Sequence, residues 1–149
     1  MKRFIQTGGC QCGQIRYTLK KRPAVIYCCH CTECQKQTSS AFGISVRVEA
    51  NALPITGECD SFERHSTSGA AVCEFCPSCG TRLFHRRPSY ADKFNIKGGS
   101  FDDTSWIMPA GHIWTVSKQT WITLPEHVLA YDRQPENYDA LIAAYQQDQ

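Results

Sequence analysis

The chain has no long apolar run. No window of its 149 residues approaches a membrane-spanning helix, so no membrane partner is expected. The opening segment, Met1-Lys2-Arg3-Phe4-Ile5-Gln6-Thr7, carries charge but no apolar stretch of the length a secretion signal needs. The expected compartment is therefore the cytoplasm. Runs of one charge sign are also missing, and the net charge is only +2. That argues against a general electrostatic nucleic-acid binder, while leaving room for a local basic pocket. No repeat, low-complexity tract or linker divides the sequence. With 42% hydrophobic and 20% charged residues it reads as one globular domain, 1–149, long enough to bury a core.

Cysteine is what the chain has in abundance, ten residues of it. Seven form tight motifs: Cys10-x-Cys12, Cys29-x-Cys31-x-x-Cys34 and Cys76-x-x-Cys79. Two intervening residues, or one on an extended strand, let both sulfurs reach one tetrahedral ion about 2.3 Å from each. In the cytoplasm such pairs are more often metal ligands or catalytic groups than disulfides; a secreted disulfide framework is the competing reading. The two pairs complete a four-ligand site. The triplet makes a three-ligand site with one position open. Closed zinc sites are structural and open ones reactive, so two zinc ions with different roles are expected.

Cys10 and Cys12 sit in Gly8-Gly9-Cys10-Gln11-Cys12-Gly13, and Cys76 and Cys79 in Phe75-Cys76-Pro77-Ser78-Cys79-Gly80. A glycine after the last cysteine lets each knuckle turn its N–H groups toward sulfur. One ion here would staple the first strand to the middle of the sheet, closing a long loop. The alternative is a triplet of Cys73, Cys76 and Cys79, although Cys73 lies on a strand-like run beside Val72 and Phe75.

In the second motif, His30 is a conceivable fourth ligand. On a strand it points away from Cys29 and Cys31, which favours a packed histidine. Cys28 shares that geometry and reads as a small buried hydrophobe. Cys59, in Gly57-Glu58-Cys59-Asp60, reads as a free thiol without a role. Zinc on three thiolates carries net negative charge and favours a soft fourth ligand, a thiol above all. A metal-bound thiol is deprotonated and stays nucleophilic at neutral pH. Thiol addition to an electrophile, or its reversal, follows more naturally than hydrolysis. Binding an anion there needs positive charge, for which Lys36, Arg47, Arg82, Arg86, Arg87 and Lys97 lie on or beside the right segments. Each is also an ordinary candidate for a solvated surface charge.

The remaining pattern is mostly β. Ile15, Tyr17 and Leu19 alternate with polar neighbours. Strand-like runs follow at 25–28, 42–48, 62–66, 71–75, 82–85, 94–97 and 112–116. Gly8-Gly9, Gly98-Gly99 and Pro109-Ala110-Gly111 read as turns. A short helix is expected over 32–37, its N–H groups near the thiolates. A C-terminal helix follows from Tyr138, Leu141, Ile142 and Tyr145, with Pro135 in its first turn and Glu136 and Asp139 at its positive end.

Taken together, Gly9-Cys10-x-Cys12-Gly13, Cys29-His30-Cys31-x-x-Cys34 and Phe75-Cys76-x-x-Cys79-Gly80 resemble the glutathione-dependent formaldehyde-activating enzyme family, also called the centromere protein V family. The similarity continues through Gly98-Gly99-Ser100-Phe101-Asp102-Asp103, His112-Ile113-Trp114 and Ser117-Lys118-x-x-x-Trp121, and so covers nearly the whole chain. It implies a mainly β, Mss4-like fold stapled by zinc, with short helices and a C-terminal helix. It implies that Cys10, Cys12, Cys76 and Cys79 hold the structural zinc and that Cys29, Cys31 and Cys34 form the catalytic one. The implied activity is that of a carbon–sulfur lyase, condensing formaldehyde with glutathione to S-(hydroxymethyl)glutathione. After Cys34 the chain reads Gln35-Lys36-Gln37-Thr38-Ser39-Ser40, where many relatives carry two basic residues and a glycine.

Two readings of function follow. One is a zinc lyase acting on a glutathione adduct of formaldehyde or another small electrophile, with Lys36, Arg47 and Lys97 as contacts for the peptide. His112, Trp114 and Trp121 are candidates to line its pocket, or else core. The other is a non-catalytic zinc-binding interaction module on the same fold. The intact triplet favours the lyase, since a scaffold needs no second, three-ligand site. A thiol–disulfide oxidoreductase using Cys31 and Cys34 lacks the βαβ context that motif normally has.

Overall fold

The computed structural model describes residues 3–66 and 69–149. Its strands are β1 (Gln6–Gly9), β2 (Arg16–Leu19), β3 (Val25–Cys29), β4 (Gly43–Glu49), β5 (Ile55–Thr56), β6 (Asp60–Ser66), β7 (Gly69–Phe75), β8 (Arg82–Arg86), β9 (Lys93–Lys97), β10 (Gly111–Ile113) and β11 (Leu129–Ala130). Helices α1 (Thr32–Thr38) and α2 (Asp139–Gln147) complete the regular structure, with four 3-10 turns. The fold is mainly β, as the sequence pattern requires.

Strands β1, β2 and β5 form a small antiparallel sheet. The others form an eight-stranded sheet in the order β11-β10-β3-β4-β9-β8-β7-β6. Its pairs are antiparallel except β3–β10 and β10–β11. Every residue of β3 is buried, as expected of a central strand covered on both faces. The small sheet seals an apolar core. Ile15 and Leu19 are buried with Ile26, Val46, Phe84 and Ile96. The Tyr17 ring meets Phe84 at 5.4 Å and Phe101 at 5.3 Å, both edge-on. Such edge-to-face pairs stabilise beyond the area they bury.

Five local expectations need correction. Gly8 and Gly9 are not a turn; they pair with Tyr17 and Arg16 inside β1. Gly8 is required there by close approach, because a Cβ would sit 2.4 Å from the Tyr17 hydroxyl and 2.6 Å from the Ser100 carbonyl. Gly111 likewise opens β10. The strand expected over 112–116 stops at Ile113, because Trp114 takes a left-handed backbone (φ 59°) and a 3-10 turn follows. Helix α2 begins at Asp139, whose N–H is accepted by the Asn137 side chain at 3.0 Å. That local bond leaves Pro135 and Glu136 outside the helix. Its expected inner face holds, with Leu141 and Tyr145 buried. Helix α1 ends one residue later than expected, at Thr38.

Candidate metal centres and cavity

Cys10 and Cys12 leave the end of β1, and Cys76 and Cys79 sit in the turn between β7 and β8. These strands belong to different sheets. The cluster therefore joins the small sheet to the large one near its β6 edge, and not at the sheet's middle. All four sulfurs lie within 4.8 Å of one another. Cys10 Sγ is 3.5 Å from Cys12 Sγ, and Cys12 Sγ is 3.7 Å from Cys76 Sγ. A zinc tetrahedron with 2.3 Å bonds has edges of about 3.8 Å, so this all-thiol set fits the ion in size and softness. Gly13 and Gly80 have φ of 83° and 76°, which lets each knuckle turn back on its sulfurs. The Ile15 N–H donates to Cys10 Sγ at 3.2 Å. Bonding to the Thr81 hydroxyl, with the Thr81 and Cys12 amides adding, pulls the Cys79 thiol down to about 5. Thr81 also accepts the Gln11 N–H at 3.1 Å, tying one knuckle to the other.

The triplet is assembled differently. Cys29 ends β3, Cys31 is the N-cap of α1, and Cys34 lies in the first helical turn. Their sulfurs also lie within 4.8 Å of one another. Cys31 Sγ accepts the Cys34 N–H at 3.3 Å, so the helix start faces sulfur as anticipated. Hydrogen bonds from the Cys29 and Cys34 thiols, with the Cys34 amide adding, push the Cys31 thiol far down. The same contacts push Cys29 up. Three soft donors, with no fourth ligand grouped with them among the described residues, fit an open zinc site.

The Gln35 side chain ties α1 to the segments around it. Gln35 Nε2 donates to the carbonyls of His30 and Ser117, both at 2.9 Å. Ser117 Oγ donates to the His30 carbonyl as well, at 2.8 Å. Nothing in the sequence pattern marked Gln35 as a brace. His30 itself is buried and turned from the thiolates, its Nε2 2.8 Å from His112 Nδ1. Burial, then the neighbouring His112, lower its pKa to about 4. His112 is thus core. Cys28 is buried at 2% exposure, while Cys59 is half-buried against the core.

The triplet opens onto a cavity of about 820 Å³. The tetrad lies outside it. Lys97, Arg82 and Arg87 line the cavity, joined by Arg64 and Arg133, which sequence reasoning missed. The available signal for Arg64 was the strand face it shares with Phe62 and Ser66 in β6; Arg133 sits in a loop without any. Lys36 is not among the lining residues. Arg47 is buried at 7% exposure, with its guanidinium 4.0 Å from the Tyr138 ring centroid and 5.7 Å from that of Tyr27. Arg86 pairs with Glu74 at 3.3 Å. Trp114 lines the cavity, and Arg133 stacks on its ring at 6.0 Å. Trp121 is exposed and does not. Cys73, buried on β7, stands at the cavity and outside both sulfur clusters.

Residues 5–117 match the family model for the glutathione-dependent formaldehyde-activating enzyme. The chain belongs to that family. Both sulfur clusters and most of the cavity fall inside the matched span, while Arg133, Gln134 and Tyr138 extend the cavity beyond it. No curated protein matches the chain. Among solved structures, a crystal structure of a Rhodobacter sphaeroides protein is similar, with 19% identity and a TM-score of 0.52. The similarity covers 69% of this chain and 91% of that one, and it shows a shared fold. No described helix of this family member is long and apolar enough to cross a membrane.

Proposed function

We propose that the protein is a zinc-dependent carbon–sulfur lyase that makes or breaks the bond between a thiol such as glutathione and a small electrophile such as formaldehyde. In this reading Cys10, Cys12, Cys76 and Cys79 hold a structural zinc, and Cys29, Cys31 and Cys34 hold a catalytic one. The whole chain, 1–149, acts as one domain in a reducing, cytoplasmic compartment. One observation carries the reading: of the two sulfur clusters, only the three-sulfur one lies on the cavity.

Zinc on three thiolates supplies a soft position for a thiol and lowers that thiol's pKa. The chain's own residues do the rest. Cys31, capping α1, orients the cluster toward the cavity through the Cys34 amide. Gln35 keeps the helix start at that distance from the sheet. Lys97, Arg82 and Arg64 set positive charge beside a net-negative sulfur cluster, so that a further anion is accepted. Ile113 and Trp114 form an apolar wall that limits water around the reacting carbon.

Isothermal titration of the zinc-loaded protein with reduced glutathione tests the reading, with oxidised glutathione as the control that offers no thiol. Binding of the reduced form alone is expected. Equal binding of both, or of neither at millimolar concentration, sinks the thiol mechanism and favours a non-catalytic zinc module.

A further inference from the structure

One face of the large sheet gathers cations. Cys73 of β7 stands opposite His85 of β8, and His85 opposite Asn95 of β9. Lys97 lies two residues beyond Asn95, so it shares that face. Arg64 pairs with Ala71, two residues from Cys73, and shares it too. Arg82 arrives there by an irregularity. Plain alternation from His85 would send Leu83 to this face. A bulge between Glu74 and Phe75 instead pairs Arg82 with Phe75, on the Cys73 side.

Among the described residues, the cations of this face outnumber the anions that face them. Among the described residues, Glu33 is the only carboxylate lining the cavity, 3.6 Å from Arg64. Arg82 stacks on Phe62 at 5.3 Å and contacts Cys73. Its Nε and Nη1 are nevertheless buried without a hydrogen-bond partner, as is Nε of Arg64. Guanidinium nitrogens buried with unused donors are costly unless an acceptor arrives. Formaldehyde brings no charge to satisfy it.

We infer that Arg82, Arg64 and Lys97 form an anion subsite beside the Cys29, Cys31 and Cys34 cluster, and that the electrophile is a carboxylate-bearing carbonyl compound of the 2-oxo acid class. The inference rests on the thiol-adduct reading above. In the reaction the thiol sulfur bonds to the carbonyl carbon. The C=O π pair moves to oxygen, which takes the proton the thiol gives up, and no oxidant is needed. Position assigns the anion to the electrophile and not to the thiol. In a 2-oxo acid adduct the carboxylate carbon is joined to the carbon that bears sulfur. The carboxylates of glutathione lie beyond a peptide unit, a residue spacing of roughly 3.5 Å further out. The three cations line the same cavity as Cys29, Cys31 and Cys34, and Arg64 is tied through Glu33 to α1, the helix that carries Cys34. Arg133, on Trp114, remains for a carboxylate of the thiol.

Titration calorimetry on the zinc-loaded protein with two stable thioethers tests this. S-(carboxymethyl)glutathione carries the extra carboxylate, and S-methylglutathione does not. The former is expected to bind at least about tenfold more tightly, the scale of one charge-assisted bidentate contact. Arg82→Gln should remove most of that ratio, and Lys97→Met should reduce it if the first variant folds poorly. The carboxymethyl thioether of 2-mercaptoethanol, compared with its methyl counterpart, should show the same preference without any carboxylate on the thiol. Equal affinities within both pairs overturn the anion subsite and leave the thiol reading standing. A preference confined to the glutathione pair assigns the cations to the thiol and also overturns it. Absence of binding by every ligand overturns this inference, and the titration with free reduced glutathione then decides the thiol reading separately.

Discussion

Cys12 Sγ and Cys76 Sγ lie 3.7 Å apart although 64 residues separate them in sequence. That contact brings the small sheet onto the end of the large one. Structural zinc binding is worth about 10–16 kcal/mol in small zinc domains, as large as the whole stability of about 5–15 kcal/mol typical of a domain. Cys76→Ser is therefore expected to abolish cooperative thermal unfolding followed by circular dichroism. Excess chelator should do the same to the wild type. A variant that melts like the wild type with full zinc content contradicts the assignment.

Cys31 has two roles that substitution can separate. It is one of the three clustered sulfurs, and it caps α1. Serine is a good N-cap and a poor zinc ligand here; alanine is neither. Cys31→Ser is expected to keep the fold, lose one zinc per chain and lose thiol binding. Cys31→Ala should cost about 1 kcal/mol more in stability, a Tm difference of about 2–4 °C. Zinc stoichiometry and melting curves read both. A Cys31→Ser protein that still holds two ions removes Cys31 from the ligand set.

The two metal clusters were legible because thiolate spacing is local: Cys-x-Cys and Cys-x-x-Cys describe a knuckle whatever surrounds it. Strand positions were legible for the same reason, through alternation in β2 and short strand-like runs elsewhere. The cation set was only half legible. Lys97, Arg82 and Arg87 were visible as charges near the right segments, but no local pattern says that a bulge turns Arg82 into the cavity. Arg47 looked equivalent to them and instead lies stacked between tyrosines from distant segments. Gly8-Gly9 looked like a turn because glycine at a turn and glycine under a tyrosine ring have the same sequence signature.

Gly8 offers a direct check. A Cβ there would overlap Tyr17 and the Ser100 carbonyl, whereas at Gly99 no atom lies within 4 Å. Gly8→Ala is expected to destabilise by about 1–3 kcal/mol, the usual cost of overpacking, and Gly99→Ala by far less. Urea midpoints give the comparison. Similar midpoints for the two variants would mean that β1 shifts freely away from Tyr17.

Arg47 tests the line between packing and binding. Its guanidinium is stacked on Tyr138 and is not at the cavity. Lysine keeps the charge but not the planar stack. Arg47→Lys is expected to lower stability by about 1–2 kcal/mol while leaving glutathione affinity as in the wild type. A large loss of affinity with unchanged stability would return Arg47 to the binding residues.

His85 should give the protein an acid-sensitive step. It is buried, and burial first, then Lys97, Arg64, Arg87 and Arg82, hold its pKa well below the ordinary histidine value. Because the folded pKa is depressed, the folded state keeps the ring neutral while the unfolded chain takes up a proton below about pH 6.5. The resulting stability is complete above that pH and is lost as pH falls toward the folded pKa. Each pH unit below about 6.5 should cost up to about 1.4 kcal/mol from this group alone. Thiolate protonation at the metal sites adds its own acid dependence, so the informative quantity is a difference. Urea unfolding of the wild type and His85→Gln at pH 7.5 and 5.5 should show the smaller loss in the variant. The variant leaves the four cations in place, so parallel losses in the two proteins would mean that His85 carries a proton in the folded state.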